Sequence, residues 1–267
     1  MNRIMTEYLF TSDALNKVIE SLRIKPRILA FDFDGTLVPI ADSPAGVVLP
    51  VKLPYLLKNL SGDKDTVVSV ISGRSVPELE RIIGIPSIIY FGNHGITSSI
   101  EEFAASKADL QKWSQEAFKI YQNLSYLEQK YNGCLIENKG PVVSVHYRKV
   151  DAAIIESLLF EVGKIVSAFD FKIQSGKMVY ELKPMTGFSK GTALLKLATS
   201  SFAGWRRGDP FLFAGDDFTD EDGFKVIKDF GVKAYGLKIG DGETTADYRL
   251  YDGEILKLIE MILQEEL

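Results

Sequence analysis

The stretch RILAFDFDGTLVPI, residues 27–40, decides the fold. Arg27–Phe33 is an apolar run whose first acid comes only near its end, at Asp32. A short run with apolar residues on both faces suits a strand buried on both sides, as in a parallel sheet. Asp32 and Asp34 stand at its carboxyl end, and residues i and i+2 of an extended chain point the same way. Two carboxylates forced together repel, so a bound cation or a hydroxyl- and amide-rich turn must compensate. Open α/β sheets bind their ligands at this edge. Gly35 lets the chain turn away sharply, and Thr36 can hydrogen-bond locally. On these residues alone, a strand end followed by an ordinary Asp-Gly turn remains the structural alternative.

Outward from this strand the chain alternates. Residues 12–24 form an amphipathic helix with Leu15, Val18, Ile19 and Leu22 on one face, capped by Ser12 or Asp13 and stopped by Pro26. A helix is expected over 51–60, a strand over Thr66–Ile71, a helix over 76–83 and a strand over Ser87–Phe91. Strands alternating with helices imply βαβ units around a parallel sheet. After Gly95 the character changes. A long polar helix is expected over 105–130, with Leu110, Trp113, Ala117, Ile120, Tyr121 and Leu124 on one face. Strands at Cys134–Glu137 and Val142–Arg148, a helix near 151–168 and strands at Phe171–Gln174 and Met178–Lys183 follow. These read as a small, largely antiparallel α+β layer. The first pattern then resumes with a helix from Ser189, a strand at Phe211–Ala214, a helix at Glu221–Asp229, a strand at Val232–Leu237 and a closing helix at Gly253–Leu263. The fold class is therefore α/β, a doubly wound, mostly parallel core over 1–95 and 186–267 with an α+β domain inserted at 96–185. Residues 1–25 extend the core at its start.

Four sites share one geometry, each at a strand end or an adjoining helix start of the same sheet. Asp32 and Asp34 are the first. The second is Asp216-Asp217-Phe218-Thr219-Asp220-Glu221-Asp222, which crowds acids after Phe211–Ala214; such hard oxygen ligands suit Mg²⁺ or Ca²⁺. An EF-hand is excluded, because aligning Gly223 to its glycine puts Phe218 at the first ligand position. Part of this run is helix chemistry: Thr219 and Asp222 fit a capping box, and acids favour a first helical turn. Asp220–Asp222 thus lean structural, whereas Asp216 and Asp217 lean functional. Third, Ser72-Gly73-Arg74 offers a hydroxyl and exposed amides, a small anion-binding turn or simply a strand–helix connection. Fourth, Lys190 opens a helix against the dipole, which suggests that it neutralises a phosphate or paired carboxylates, a solvated surface lysine being the alternative. A carboxylate nucleophile, a second carboxylate, a cation site, a hydroxyl and an ammonium together fit phosphoryl transfer through an aspartyl phosphate.

Composition narrows the class. Of 267 residues, 46% are hydrophobic and 25% charged, which marks an ordinary globular chain. The net charge of −5 disfavours nucleic-acid binding. The single cysteine, Cys134, closes no intrachain disulfide and makes no multi-cysteine zinc site. No apolar run approaches the ~18–20 residues that span a bilayer. Met1–Phe10 carries Arg3 and Glu7 without an apolar centre, so no secretory leader is expected there. The expectation is a cytoplasmic protein, monomeric, with neither membrane nor nucleic-acid partners.

The order of motifs, FDFDGTLVPI at 31–40, SVISGRS at 69–75, YFGNHG at 90–95, IENKGPVVSVHYR at 136–148, YELKP at 180–184 and GDDFTDEDGF at 215–224, resembles the haloacid-dehalogenase superfamily and, within it, the trehalose-6-phosphate phosphatase family. The resemblance covers about residues 27–265. It implies Mg²⁺-dependent hydrolysis of a sugar phosphate, trehalose 6-phosphate, to trehalose and phosphate. Asp32 is then the nucleophile and Asp34 the general acid and base. Asp32, the Asp34 carbonyl and Asp216 hold Mg²⁺, with Asp217 and Asp220 near or behind them. Ser72 and Lys190 bind phosphoryl oxygens, and Arg74 helps position its loop. The insertion resembles the family's cap, which closes over the sugar. Glu137, Lys139, Arg148, Glu181 and Lys183 are its candidates for hydroxyl contacts, with Asn93 and His94 at the junction. His146, opposite the packed face of Val143, Val145 and Tyr147, leans toward a structural histidine, and His94 is as readily one. Pro184–Phe188 reads as a hinge one residue longer than the family's form. A phosphatase for another glycosyl phosphate, such as glucosylglycerol phosphate, is the alternative; a non-catalytic sensor would be expected to lose Asp32 or Asp34.

Overall fold

The computed structural model describes residues 6–200 and 202–264. The reading of Met1–Phe10 lies partly outside them. The chain forms two compact units, one built from the described residues up to Phe103 and from Phe188 onward, the other from Ala104–Gly187. Among the described residues no helix is long and apolar enough to cross a membrane.

The first unit opens with α1 (Leu15–Arg23), followed by β1 (Arg27–Phe31), α2 (Leu53–Ser61), β2 (Thr66–Ile71), α3 (Val76–Ile83), β3 (Ile89–Gly92) and a short β4 (Thr97–Ser98). The second unit runs α4 (Lys107–Leu124), α5 (Leu127–Lys130), β5 (Leu135–Asn138), β6 (Val143–His146), α6 (Ile155–Val166), β7 (Phe171–Gly176) and β8 (Val179–Pro184). The first unit resumes with α7 (Lys190–Thr199), β9 (Phe211–Gly215), α8 (Glu221–Ile227), β10 (Ala234–Ile239), β11 (Tyr248–Leu250) and α9 (Glu254–Leu263).

The seven-stranded sheet has the order β11-β10-β9-β1-β2-β3-β4, parallel except for the antiparallel β3–β4 pair. β1 lies at its centre, with Phe31 level with Val70 of β2 and Ala214 of β9. The chain winds outward from β1 in one direction through β2 and β3 and in the other through β9 and β10. The carboxyl end of β1 is thus the switch point where such sheets open a crevice. Period-two alternation sends Leu29 and Phe31 into one core with α1, α2 and α9, and Ile28 and Ala30 into another with α7 and α8. α1, part of the expected extension of the core, buries Val18, Ile19 and Leu22 in the first of these cores.

β1 stops at Phe31 rather than Phe33. The Asp32 amide still bonds to Ala214 O, but the Phe33 carbonyl already receives the amides of Thr36, Leu37 and Val38, so the chain has left the sheet for a turn. The stretch 96–103, expected within the insertion, belongs to the first unit, because Thr97 and Ser98 pair with β3 and Phe103 packs among that unit's core residues. The helix expected over 105–130 breaks after Leu124. The Ser125 hydroxyl turns back to Gln122 O, a local bond that competes with helix continuation.

The second unit is a four-stranded antiparallel sheet in the order β5-β6-β8-β7. Ile136, Val143, Val145 and Leu182 pack against Ala117, Ile120 and Leu124 of α4 and Leu158 and Val162 of α6. The alternation turns Ser144 and His146 to the opposite face. Register places Ser144 directly between Glu137 on β5 and Glu181 on β8.

Candidate active site

Asp32 follows β1 with 4% of its surface exposed. Its Oδ1 accepts a 2.6 Å bond from Lys190 Nζ, and its Oδ2 a 3.4 Å bond from the Thr36 hydroxyl. Lys190 is the first residue of α7, a helix started by the reciprocal bonds of Ser189 and Thr192. The same ammonium donates 2.7 Å to Asp220 Oδ1, while Asp220 Oδ2 accepts the amides of Asp216 and Asp217 at 3.0 and 2.9 Å. The Asp216 carboxylate lies against Gly35. A Cβ at Gly35 would come within 2.1 Å of Asp216 Oδ2, and its φ of +86° is one that side-chain-bearing residues rarely adopt, so the turn requires glycine. Lys238 of β10, also buried, donates to the Asp216 carbonyl.

Asp32, Asp216 and Asp220 are all buried, with ligand oxygens within 4.8 Å of one another. Burial pushes the Asp32 carboxyl well above its usual range. The Lys190 ammonium opposes this, and the Asp220 and Asp216 carboxylates add to it. Asp220 is raised for the same first reason, again with Lys190 opposing. Burial works against the Lys190 ammonium too, yet its two carboxylate partners outweigh it and drive its pKa up. One ammonium between two carboxylates stays charged without fully compensating either, and a third acid stands beside them. The deficit of positive charge and the hard oxygen donors suit a divalent cation. Asp220 gives one oxygen to Lys190 and the other to the Asp216 and Asp217 amides.

Asp34 is half-buried and gripped from the side. Arg74 Nε and Nη2 donate to its two oxygens at 2.7 and 2.8 Å, a bidentate fork. Arg74 also donates to Pro44 O at 3.0 Å, pairs with Glu78 one helical turn on, and lies over the Phe33 ring. Ser72, buried beside it, accepts the Arg74 amide at 3.2 Å. This loop is pinned by the turn after β3: Asn93 N donates to Arg74 O and His94 N to Ser72 O, both at 2.9 Å. Asn93 and His94 both have left-handed backbones, φ 51° and 56°, an uncommon conformation held by those bonds.

In the second unit the polar face carries Glu137, Lys139, His146, Glu181 and Lys183. Lys139 Nζ stands 3.8 Å from Glu137 and 3.7 Å from Glu181, and Lys183 Nζ 3.4 Å from Glu181. His146 Nε2 meets Glu137 Oε2 at 3.1 Å, so this histidine joins the charged face rather than the packed one. Arg148 lies beyond the strand, exposed, on Lys177 O at 3.3 Å, outside the cluster.

The acidic run after β9 is used differently from its expected reading. The capping box joins Asp217 and Asp220, not Thr219 and Asp222, because the backbone is still extended at Asp217 and turns immediately after it. Asp217 is thereby occupied with the Phe218 amide of its own turn. Asp220, which leaned structural, reaches Lys190. Its spacing from Asp217, three residues as in any capping box, was the available signal. Lys238 had none, being a single lysine within the strand AYGLKI.

The family model described as trehalose-phosphatase matches residues 30–254. The trehalose-6-phosphate phosphatase of Escherichia coli K12 is 32% identical over 82% of this chain and 80% of its own. The probable trehalose-phosphate phosphatase I of Arabidopsis thaliana is 26% identical over 94% of this chain and 71% of its own. The C-terminal domain of Candida albicans trehalose-6-phosphate phosphatase superposes with a TM-score of 0.76 over 98% of each chain, at 24% identity, a likeness of fold.

Proposed function

The chain belongs to the trehalose-phosphatase family, and on that premise we propose that it hydrolyses trehalose 6-phosphate to trehalose and phosphate through a phosphoryl group carried on Asp32. The observation that carries this reading is the buried Asp32 carboxylate at the switch point, bonded at 2.6 Å to Lys190 and flanked by Asp216. An Asp32 oxygen attacks phosphorus, and the bond from phosphorus to the sugar oxygen breaks. Asp34 gives the departing oxygen its proton. Asp34 then takes a proton from water, whose oxygen attacks the acyl phosphate; phosphate leaves and the Asp32 carboxylate is restored. Lys190 and the Ser72 hydroxyl offset the charge on the phosphoryl oxygens. Mg²⁺, held by Asp32, the Asp34 carbonyl and Asp216, would supply further neutralisation of the phosphoryl group. Arg74 acts as a positioning residue. The fork places one donor on each Asp34 oxygen and so fixes the orientation of the carboxyl, while each oxygen keeps a further lone pair for the proton it passes.

Glu137, Lys139, Glu181 and Lys183 are read as the contacts to sugar hydroxyls, for which alternating acceptors and donors are suited. Asn93 and His94 serve chiefly to hold the Ser72–Arg74 loop. The test is phosphate release from trehalose 6-phosphate, sucrose 6-phosphate, glucosylglycerol phosphate and glucose 6-phosphate, each with Mg²⁺ and with EDTA. A strong preference for trehalose 6-phosphate that EDTA abolishes is expected. Preference for another glycosyl phosphate would keep the Asp32 chemistry and overturn the substrate, and silence across the panel would overturn both.

A further inference from the structure

The polar face of the second unit contains a hydroxyl that the fold does not use. Ser144 sits in the middle of β6 with none of its surface exposed, and its Oγ has no hydrogen-bond partner among the described residues. A buried hydroxyl without a partner is destabilising, so native structures rarely keep one without a reason. The first unit shows how a serine inside a strand is ordinarily accommodated: Ser69 of β2, equally buried, donates to Ile89 O of the next strand at 2.8 Å. Ser144, on a strand paired antiparallel on both sides rather than parallel, makes no such bond. Serine is also a weaker strand former than the valines on either side of it.

Its surroundings define what fits. Register sets Ser144 level with Glu137 on one side and Glu181 on the other. Lys139 bridges those two acids at 3.8 and 3.7 Å, distances beyond a direct hydrogen bond. Carboxylates only accept, ammonium groups only donate, and a serine hydroxyl does both. A ligand group that can itself donate to one neighbour and accept from the next satisfies such a row, and a sugar hydroxyl is that group. A phosphate, which only accepts, is disfavoured beside two carboxylates.

We propose that the Ser144 hydroxyl is a specificity contact for the substrate, bonding one ring hydroxyl of the sugar between Glu137 and Glu181. This rests on the reading of that face as the sugar site. The enzyme thus tolerates an unpartnered hydroxyl in its free state, and because Ser144 is wholly covered there, the side chains over it have to part before the bound sugar relieves it. A site built to bond a hydroxyl discriminates strongly against a substrate that lacks one.

The experiment compares Ser144→Ala and Glu181→Gln with the unaltered enzyme. Each is assayed with trehalose 6-phosphate and with p-nitrophenyl phosphate, which has no sugar, and each is melted without ligand. For Ser144→Ala the ratio of kcat/KM between the two substrates should fall about tenfold, through KM. The inhibition constant of trehalose against p-nitrophenyl phosphate should rise by a similar factor, and the melting temperature should stay level or rise. An unchanged ratio in Ser144→Ala beside a lowered ratio in Glu181→Gln would overturn the Ser144 assignment alone. An unchanged ratio in both would overturn the sugar-site reading beneath it. A lower melting temperature with equal losses on both substrates would make Ser144 structural and overturn the proposal as well.

Discussion

Replacing Lys190 by methionine tests the electrostatic account of the site most directly. The side chain is 2% exposed, and its ammonium is the group bonding Asp32 and Asp220 at 2.6 and 2.7 Å. Removing one partner of a buried ion pair typically destabilises by ~3–5 kcal/mol, because the remaining charge is left buried and uncompensated. Here two carboxylates are left. The loss is bounded from above because burial has already pushed both upward, so a proton can partly replace the ammonium. At roughly 2–4 °C per kcal/mol for a unit of this size, the melting temperature should drop by about 6–20 °C. The two tryptophans fall one in each unit, half-buried Trp113 in the second and buried Trp205 in the first. In a Trp113→Phe background, fluorescence therefore reports the first unit alone. The measurement is made in EDTA, so that no bound cation contributes. Asp32→Asn should be neutral or stabilising, since it removes a carboxylate whose ionised form burial disfavours. In the double variant the missing ammonium matters less, with a coupling of roughly 1–3 kcal/mol. If Lys190→Met melts like the unaltered protein, or the two changes simply add, the ammonium is not what holds these acids together.

Three further outcomes are expected. Arg74→Lys replaces a planar fork by a point charge and loosens Asp34. It should lower the ratio of turnover on trehalose 6-phosphate to that on p-nitrophenyl phosphate about tenfold or more, as Asp34→Asn should, because the nitrophenolate leaves without a proton; equal losses on both substrates would remove Arg74 from the positioning of the acid. Gly35→Ala combines ~1–2 kcal/mol of left-handed strain with a Cβ that would sit 2.1 Å from Asp216 Oδ2. The Mg²⁺ concentration for half-maximal activity should rise tenfold or more, and an unaltered Mg²⁺ titration would separate Asp216 from the cation. In the second unit, Lys130, Tyr131 and Tyr126 hold the Glu161 carboxyl down at about 2, from an ordinary value of 4.5. A depressed carboxyl contributes stability that is present above its unfolded value and is lost as pH falls through its folded one. The melting difference between the unaltered protein and Glu161→Gln, followed by Trp113 fluorescence, should therefore be full above pH 4.5 and shrink toward pH 2. A gap that stays constant over that range would show that the charge of Glu161 is not what stabilises.

The alternation of short apolar runs with amphipathic helices is written in local periodicity, and β2 and α3 lie where that periodicity puts them. Lys190 at a helix start was legible for a different reason. A cation at that end contradicts the dipole, and the carboxylates it pairs with explain the exception. β4 and β11 were not legible, because two- and three-residue strands carry too few residues to show a period. The break after Leu124 was hidden as well, since the apolar spacing continues through it and Ser125 and Tyr126 keep helical dihedrals.

Sequence by itself determined the longer strands and helices of the sheet and the acidic residues at its carboxyl edge, because strand and helix periods and the order of motifs are local properties of the chain. Which acids meet was decided only by tertiary structure. Asp32 and Asp220 are separated by most of the chain and joined by one ammonium, and Asp217, adjacent in sequence, is turned to its own cap. The unpartnered hydroxyl of Ser144 likewise exists only once β5, β6 and β8 come into register. Charge compensation and hydrogen-bond satisfaction depend on distances between residues remote in sequence, and those distances are set by folding rather than by pattern.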